Sequence, residues 1–183
     1  MDITHVMRGL EYLSSTPKYN LLYWGFGWEP PAYIHLPHII KESGKKLSKR
    51  EGDASFQDLL AKGYLPEAIV NYIALLGWSS GDDREFFRMA DLIAAFEVSH
   101  INKSKAAFSV PKLDWLNGEH LRQLTAEEFH QHALGFYPKE LVKHFDNVAV
   151  SRLIQTRVAT LSEIPAMTAF LLEPAVYEAT MFA

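Results

Sequence analysis

Polar and apolar positions follow one spacing before about residue 53 and another after it. Ile3-Thr4-His5-Val6-Met7-Arg8 is β-branched and apolar enough for a short buried strand, which Gly9 ends. Ser14-Ser15-Thr16-Pro17 supplies a helix N-cap with proline at the first helical position, and Asn20 to Phe26 reads as a helix carrying Leu21, Leu22 and Phe26 until Gly27. After the Trp28-Glu29-Pro30-Pro31 turn, Ala32 to Leu36 reads as a second strand. A strand, a helix and a strand predict a parallel pair with a right-handed crossover. Two parallel strands do not make a stable sheet, so further strands are expected before residue 1.

From Ser55 onward the spacing is helical. Ser55 caps Phe56 to Ala61, and Pro66 opens a helix with Ile69, Ile73 and Leu76 on one face before Gly77. Gly81-Asp82-Asp83 is a polar turn, and Met89 to Phe96 predicts a helix with Leu92, Ile93 and Phe96 inward. Pro111 begins a helix carrying Leu113, Trp115 and Leu116 into Gly118, and Thr125-Ala126-Glu127-Glu128 is a capping box. Pro138, Ser151 to Leu161 and Pro165 to Leu172 predict three more helices. A boundary is expected near residue 53 and a softer one near 122 to 125.

Charge is concentrated in one place. Residues 41 to 52 hold five Lys or Arg against two Glu, although the 183-residue chain has a net charge of −4. The loop Lys45-Lys46-Leu47-Ser48-Lys49-Arg50, between Gly44 and Gly52, can hold phosphate through ammonium groups, backbone N–H groups and the Ser48 hydroxyl. It lacks the Gly-x-x-x-x-Gly-Lys-Ser/Thr spacing of a Walker loop, and a solvated loop or a general nucleic-acid patch explains the same composition. Arg8 and Lys49 leave the carboxyl ends of the two strands, the edge at which open parallel sheets bind ligands, so they can face one cleft. The chain has no cysteine, which excludes disulfides and thiolate metal sites. It shows no signal segment and no apolar run near the roughly 20 residues of a membrane helix. A strand-like start and the apolar end Thr180-Met181-Phe182-Ala183 read as a piece of something longer.

Thr4-His5-Val6-Met7-Arg8-Gly9, Leu13-Ser14-Ser15-Thr16-Pro17, Leu22-Tyr23 with Phe26-Gly27-Trp28-Glu29-Pro30-Pro31, His35-Leu36-Pro37, Lys46-Leu47-Ser48-Lys49-Arg50 and Leu113-Asp114-Trp115-Leu116-Asn117-Gly118 occur in that order. This series resembles the bacterial glutamyl-tRNA synthetases, densely over residues 3 to 122. The resemblance implies a class I synthetase that joins glutamate to ATP as glutamyl adenylate and passes the acyl group to tRNA(Glu), in the cytoplasm, with Mg²⁺ accompanying ATP and no protein-bound metal. By position, Lys46, Ser48 and Lys49 would be catalytic, and Lys46, Lys49 and Arg50 would bind ATP with the backbone at Ile39 and Ile40 beside adenine. Arg8 and Glu11 would lie at the amino-acid and adenylate site. Lys103, Lys105, Lys112 and Arg122 would touch tRNA phosphates, with a solvated face as the alternative. The implied fold is mainly α with a small α/β part. Residues 1–53 would be the end of a Rossmann-like catalytic domain, 54–123 a helical stem-contact domain and 124–183 the start of a helical anticodon-binding domain.

The chain departs from the family pattern in ways that matter. The His-x-Gly-His signature is missing, so the isolated chain is expected to be inactive. Leu10 replaces a usual acidic residue, and Trp24-Gly25 a commoner Glu/Arg-Ala pair. His35-Leu36-Pro37-His38 is not the missing signature, because proline replaces the glycine that allows close backbone approach to ATP. Arg8 can also be read as a strand-end arginine paired with a carboxylate. His130, His132 and His144 read as surface histidines, since a helical i, i+2 pair points about 200° apart, and Trp78, Phe108 and Trp115 read as core anchors. The competing functions are a non-catalytic tRNA-binding or scaffolding fragment and a related synthetase charging glutamine. An uncovered sheet edge beside residues 3 to 8 would favour self-association.

Overall fold

The computed structural model describes residues 2–41, 43–44 and 55–173. It separates into two compact units, Met1–Ser48 with Asn71–Ser109 and Lys49–Val70 with Val110–Ala183. The architecture is mainly helical with two small parallel strand pairs.

In the first unit, β1 (His5–Gly9) pairs in parallel with β2 (Ala32–Leu36), His5 opposite Ala32 and Gly9 opposite Leu36. A 3-10 helix (Leu10–Ser15) and α1 (Thr16–Gly25) make the crossover, with Pro17 in the first turn of α1. The Ser15 hydroxyl does not cap α1; it donates back to the Tyr12 carbonyl at 3.1 Å. Gly27 ends the helix at φ 72°, the left-handed region that glycine enters freely. No residue of α1 is buried, and Leu21, Leu22, Trp24 and Phe26 are all exposed.

A second parallel pair was not legible in the sequence. β3 (Ile39–Lys41) pairs with β4 (Ala106–Phe108), Ile39 opposite Ala106. Three residues are too few for alternation to register. The rest of this unit packs around Trp78, Phe87 and Leu92 of α4 (Met89–Ala95). The Trp78 ring meets Phe87 edge-on at 5.6 Å, and its indole N–H donates to the Glu97 carbonyl. Asn71 bridges the chain, its amide donating to the Glu85 carbonyl and accepting from the Phe87 N–H. The Tyr72 hydroxyl donates to the Ser109 carbonyl and accepts from the Ser109 N–H at 2.7 Å. The helical faces differ in part from those expected. In α3 (Pro66–Gly77) Ile69, Tyr72 and Leu76 are buried while Ile73 is 54% exposed; in α4 Leu92 is buried while Ile93 is 70% exposed. A face three or four residues wide is narrower than the set of apolar residues available to it.

The second unit holds α2 (Phe56–Ala61), α5 (Val110–Gln123), α6 (Ala126–Ala133), α7 (Lys139–His144), α8 (Asn147–Ile154) and α9 (Ile164–Leu172), and α5 to α9 supply a continuous core. Leu121, Phe129, Leu141, Ile154, Val158 and Ile164 are buried in it with Leu65 and Ala68. Side chains cap the starts of α2, α6 and α8: Ser55 accepts from the Asp58 N–H, Thr125 and Glu128 form both bonds of the capping box, and Asp146 accepts from Val148 and Ala149. Asp146 therefore starts α8 at Asn147, four residues before the Ser151 expected from spacing. Helix α5 continues through Gly118, and Trp115 is 44% exposed instead of anchoring the core. Gly63, at φ 81°, lies so close to Leu161 that a Cβ would stand 2.8 Å from the Leu161 nitrogen, and the Gly63 carbonyl accepts from that N–H.

Candidate active site

Arg8 is the penultimate residue of β1 and stands opposite His35 of β2 in the parallel register. Opposed residues on paired strands present side chains to one face, and Tyr33, two residues before His35, shares that face. The guanidinium carbon lies 4.9 Å from the Tyr33 ring centre, 5.2 Å from Tyr19 and 5.3 Å from Tyr12. Three aromatic faces attract a cation through their quadrupoles and screen it from water. Nη2 of Arg8 donates to the Thr16 hydroxyl oxygen at 2.7 Å, and Nε donates to His35 Nε2 at 3.4 Å. No bond to Nη1 occurs among the described residues, so one edge of the planar fork stays available to an acceptor.

Glu11, in the 3-10 helix after β1, does not pair with Arg8. Its carboxylate folds over Gly9, where a Cβ would collide with Oε2, and approaches His38 Nδ1 at 3.8 Å. Gly9 thus admits the Glu11 side chain to the end of β1. The strand-end ion pair that the sequence also allowed is absent among the described residues. Ile39 and Ile40 belong to β3, half-buried and paired with β4. Lys46, Ser48, Lys49 and Arg50 lie outside the described residues.

The remaining expected positions are dispersed. Lys103 and Lys105 are exposed in the first unit; Lys112 is half-buried and Arg122 exposed in the second, where Arg122 meets Glu119 at 2.5 Å. His132 and His144 are exposed. His130 is half-buried, with Nδ1 3.1 Å from the Ser151 hydroxyl, which also meets Tyr137 at 2.6 Å. That inward bond corrects its reading as a surface residue. Among the described residues, no group of three or more His, Asp or Glu could hold a metal ion, and no helix is long and apolar enough to cross a membrane.

The motif Leu113-Asp114-Trp115-Leu116-Asn117-Gly118 organises the second unit. Asp114 accepts from the Tyr64 hydroxyl, and burial together with this carboxylate pushes the Tyr64 phenol well above its ordinary range. Asn117 is fully buried, accepting from the Leu65 N–H at 2.8 Å and donating to the Ala159 carbonyl. These bonds fix backbone far apart in sequence. Their geometry assigns this motif to packing.

Residues 1–115 match the model of the tRNA synthetases class I (E and Q), catalytic domain. The chain belongs to that family. Similar proteins include the glutamate–tRNA ligase of Clostridium tetani, 54% identical over 182 residues that take in all of this chain and 37% of the relative. That of Clostridium botulinum strain Hall is 56% identical over 165 residues, 90% of this chain and 34% of the relative. The chain thus spans little more than a third of the length of the curated relatives it matches. Among solved structures, a glutamate–tRNA synthetase from Elizabethkingia anophelis superposes with a TM-score of 0.82 at 31% identity, covering 98% of this chain and 41% of that one. A glutamate tRNA ligase from Elizabethkingia meningosepticum, solved in complex with its amino acid, gives 0.82 at 30% identity, covering 98% and 40%.

Residues that the sequence left aside complete the Arg8 site. In the sequence Thr16 stands in a helix cap and a family motif and His35 in a family motif and a false signature, without a role at the site, while Tyr12, Tyr19 and Tyr33 belong to no quoted motif. The signal was the parallel register itself, which sets residue 8 against residue 35, together with the helical spacing of Tyr12, Thr16 and Tyr19.

Proposed function

We propose that this chain is a portion of a glutamate–tRNA ligase in which Arg8 binds a carboxylate of glutamate and the loop Lys45 to Arg50 acts on ATP. The supporting observation is the guanidinium of Arg8, held at the carboxyl end of β1 with one edge free. A planar fork of this kind suits bidentate recognition of carboxylate. Bound to the side-chain carboxylate, this cation favours glutamate over glutamine, whose side chain ends in a neutral amide, in keeping with the glutamate ligases among the relatives.

In the proposed reaction a glutamate carboxylate oxygen attacks the α-phosphorus of ATP and pyrophosphate leaves. A terminal hydroxyl of tRNA then attacks the acyl carbon and AMP leaves. Lys46 and Lys49 neutralise the charge that builds on the departing pyrophosphate, and Ser48 and Arg50 donate to its oxygens, so their effect falls mainly on the transition state. Mg²⁺ enters with ATP. Glu11 flanks the amino-acid end, and the backbone of Ile39 and Ile40 flanks adenine. Lys103, Lys105, Lys112 and Arg122 meet tRNA phosphates. The domain reading, 1–53 catalytic, 54–123 stem-contact and 124–183 anticodon-binding, belongs to the same proposal, as does a cytoplasmic setting. Among the described residues β1 pairs only with β2, and Ile3 and Met7 are exposed beside it, so self-association through this edge is part of the proposal.

The experiment places residues 1–183 in the corresponding segment of the Clostridium tetani ligase and compares Lys49 with Lys49→Ala in charging of tRNA. The expected result is active chimeric enzyme and a kcat lowered on the order of a hundredfold by the substitution, with KM for ATP little changed. Unchanged turnover in the variant would leave the chain a scaffolding fragment.

A further inference from the structure

We infer that His35 and Thr16 are positioning residues that fix the direction of the Arg8 guanidinium inside the tyrosine cage; this rests on the carboxylate-binding role proposed for Arg8. Hydrogen-bond directions make the arrangement specific. The Thr16 hydroxyl donates to the Tyr12 carbonyl at 2.9 Å, so its oxygen lone pairs are free to accept from Arg8 Nη2. Arg8 Nε–H is the donor of its bond to His35, so His35 Nε2 must offer a lone pair to it. That requirement places the His35 proton on Nδ1. His35 Nε2 also lies 3.3 Å from the Thr16 hydroxyl, which closes a three-membered ring of contacts among Arg8, Thr16 and His35.

The cage alone does not set the direction of the fork. Tyr12, Tyr19 and Tyr33 attract the cation through their faces, but a ring face does not distinguish one N–H edge from another. The two directional bonds do. Nε and Nη2 are both engaged, and among the described residues the edge bearing Nη1 is left for a ligand. Among the described residues Arg8 is held by a histidine nitrogen and a hydroxyl oxygen and not by a carboxylate, so no anion there competes for its charge within the cage. An anionic partner is then bound without first displacing a competing anion.

The inference separates the two kinds of contact experimentally. In the 183-residue chain labelled with ¹⁵N, the Arg8 Nε–Hε signal should be sharp and slow to exchange with water, and the His35 nitrogen shifts should report the Nδ1–H tautomer. Thr16→Val and His35→Leu should each broaden or lose the Arg8 signal, whereas Thr16→Ser and His35→Gln, which keep an acceptor in place, should restore it. In the chimeric ligase the two disruptive variants should raise KM for glutamate roughly tenfold and leave KM for ATP unchanged, with rescue by the conservative pair. An Arg8 signal indifferent to all four substitutions, or equal rises in both KM values, would overturn the inference. If instead the signals respond as stated and Arg8→Ala leaves KM for glutamate unchanged, the clamp stands and the carboxylate role beneath it falls.

Discussion

The two ends of the chain use apolar residues in opposite ways. Within the second unit Leu116, Leu121, Phe129, Leu141 and Ile164 are wholly buried, α2, α6 and α8 start on side-chain caps, and buried Asn117 and Gln155 are bonded to distant backbone. In the segment from β1 to β2 of the first unit, α1 buries nothing, and Leu13, Pro17, Leu21 and Trp24 line an open groove of about 400 Å³. What that segment does organise is polar: an arginine, a threonine and a histidine arranged by a strand pair and a helix start. One region spends its sequence on stability, and the other on the orientation of one cation.

The largest test of that contrast compares truncations in the two regions. Phe129→Ala, in a closed core, should cost about 3 to 5 kcal/mol in denaturant unfolding of the chain, whereas Trp24→Ala, 62% exposed on α1, should stay within about 0.5 kcal/mol. A large loss from Trp24→Ala would mean that α1 carries stability after all. Next in size is Asn117→Ala, which strands the Leu65 N–H and the Ala159 carbonyl and should cost about 2 kcal/mol by the same measurement. Thr125→Ala removes one half of the capping box and should cost about 1 kcal/mol.

Tyr64 gives the smallest effect and a signed one. Its phenol is raised above the ordinary 10.0 by burial and then by Asp114. The stability this contributes is complete below pH 10 and is lost as pH climbs from there toward the raised value. The free energy of unfolding measured between pH 9 and 11 should therefore fall more steeply for the parent chain than for Tyr64→Phe. Parallel curves would separate Tyr64 from the alkaline loss.

Legibility in the sequence followed the same division. Elements with chemical start signals were readable: Ser55, the Thr125 to Glu128 box, Pro66 and the β1 to β2 crossover all stand where composition placed them. Short strands were not, because β3 and β4 hold three residues each and owe their existence to each other. Which apolar residue of a helix turns inward was readable only in part, since Ile73, Ile93 and Trp115 satisfy the spacing and still face out. At the candidate site Arg8 was visible through a motif, but its partners come from a register that only pairing defines. Thr16 and His35 are 8 and 27 residues away from it.

The claim that Arg8 is a glutamate-binding cation held ready by its neighbours is tested most directly in the chimeric ligase, by steady-state charging of tRNA with Arg8→Ala. The account predicts a rise of about a hundredfold in KM for glutamate, with KM for ATP unchanged. A KM for glutamate equal to that of the parent enzyme would contradict it.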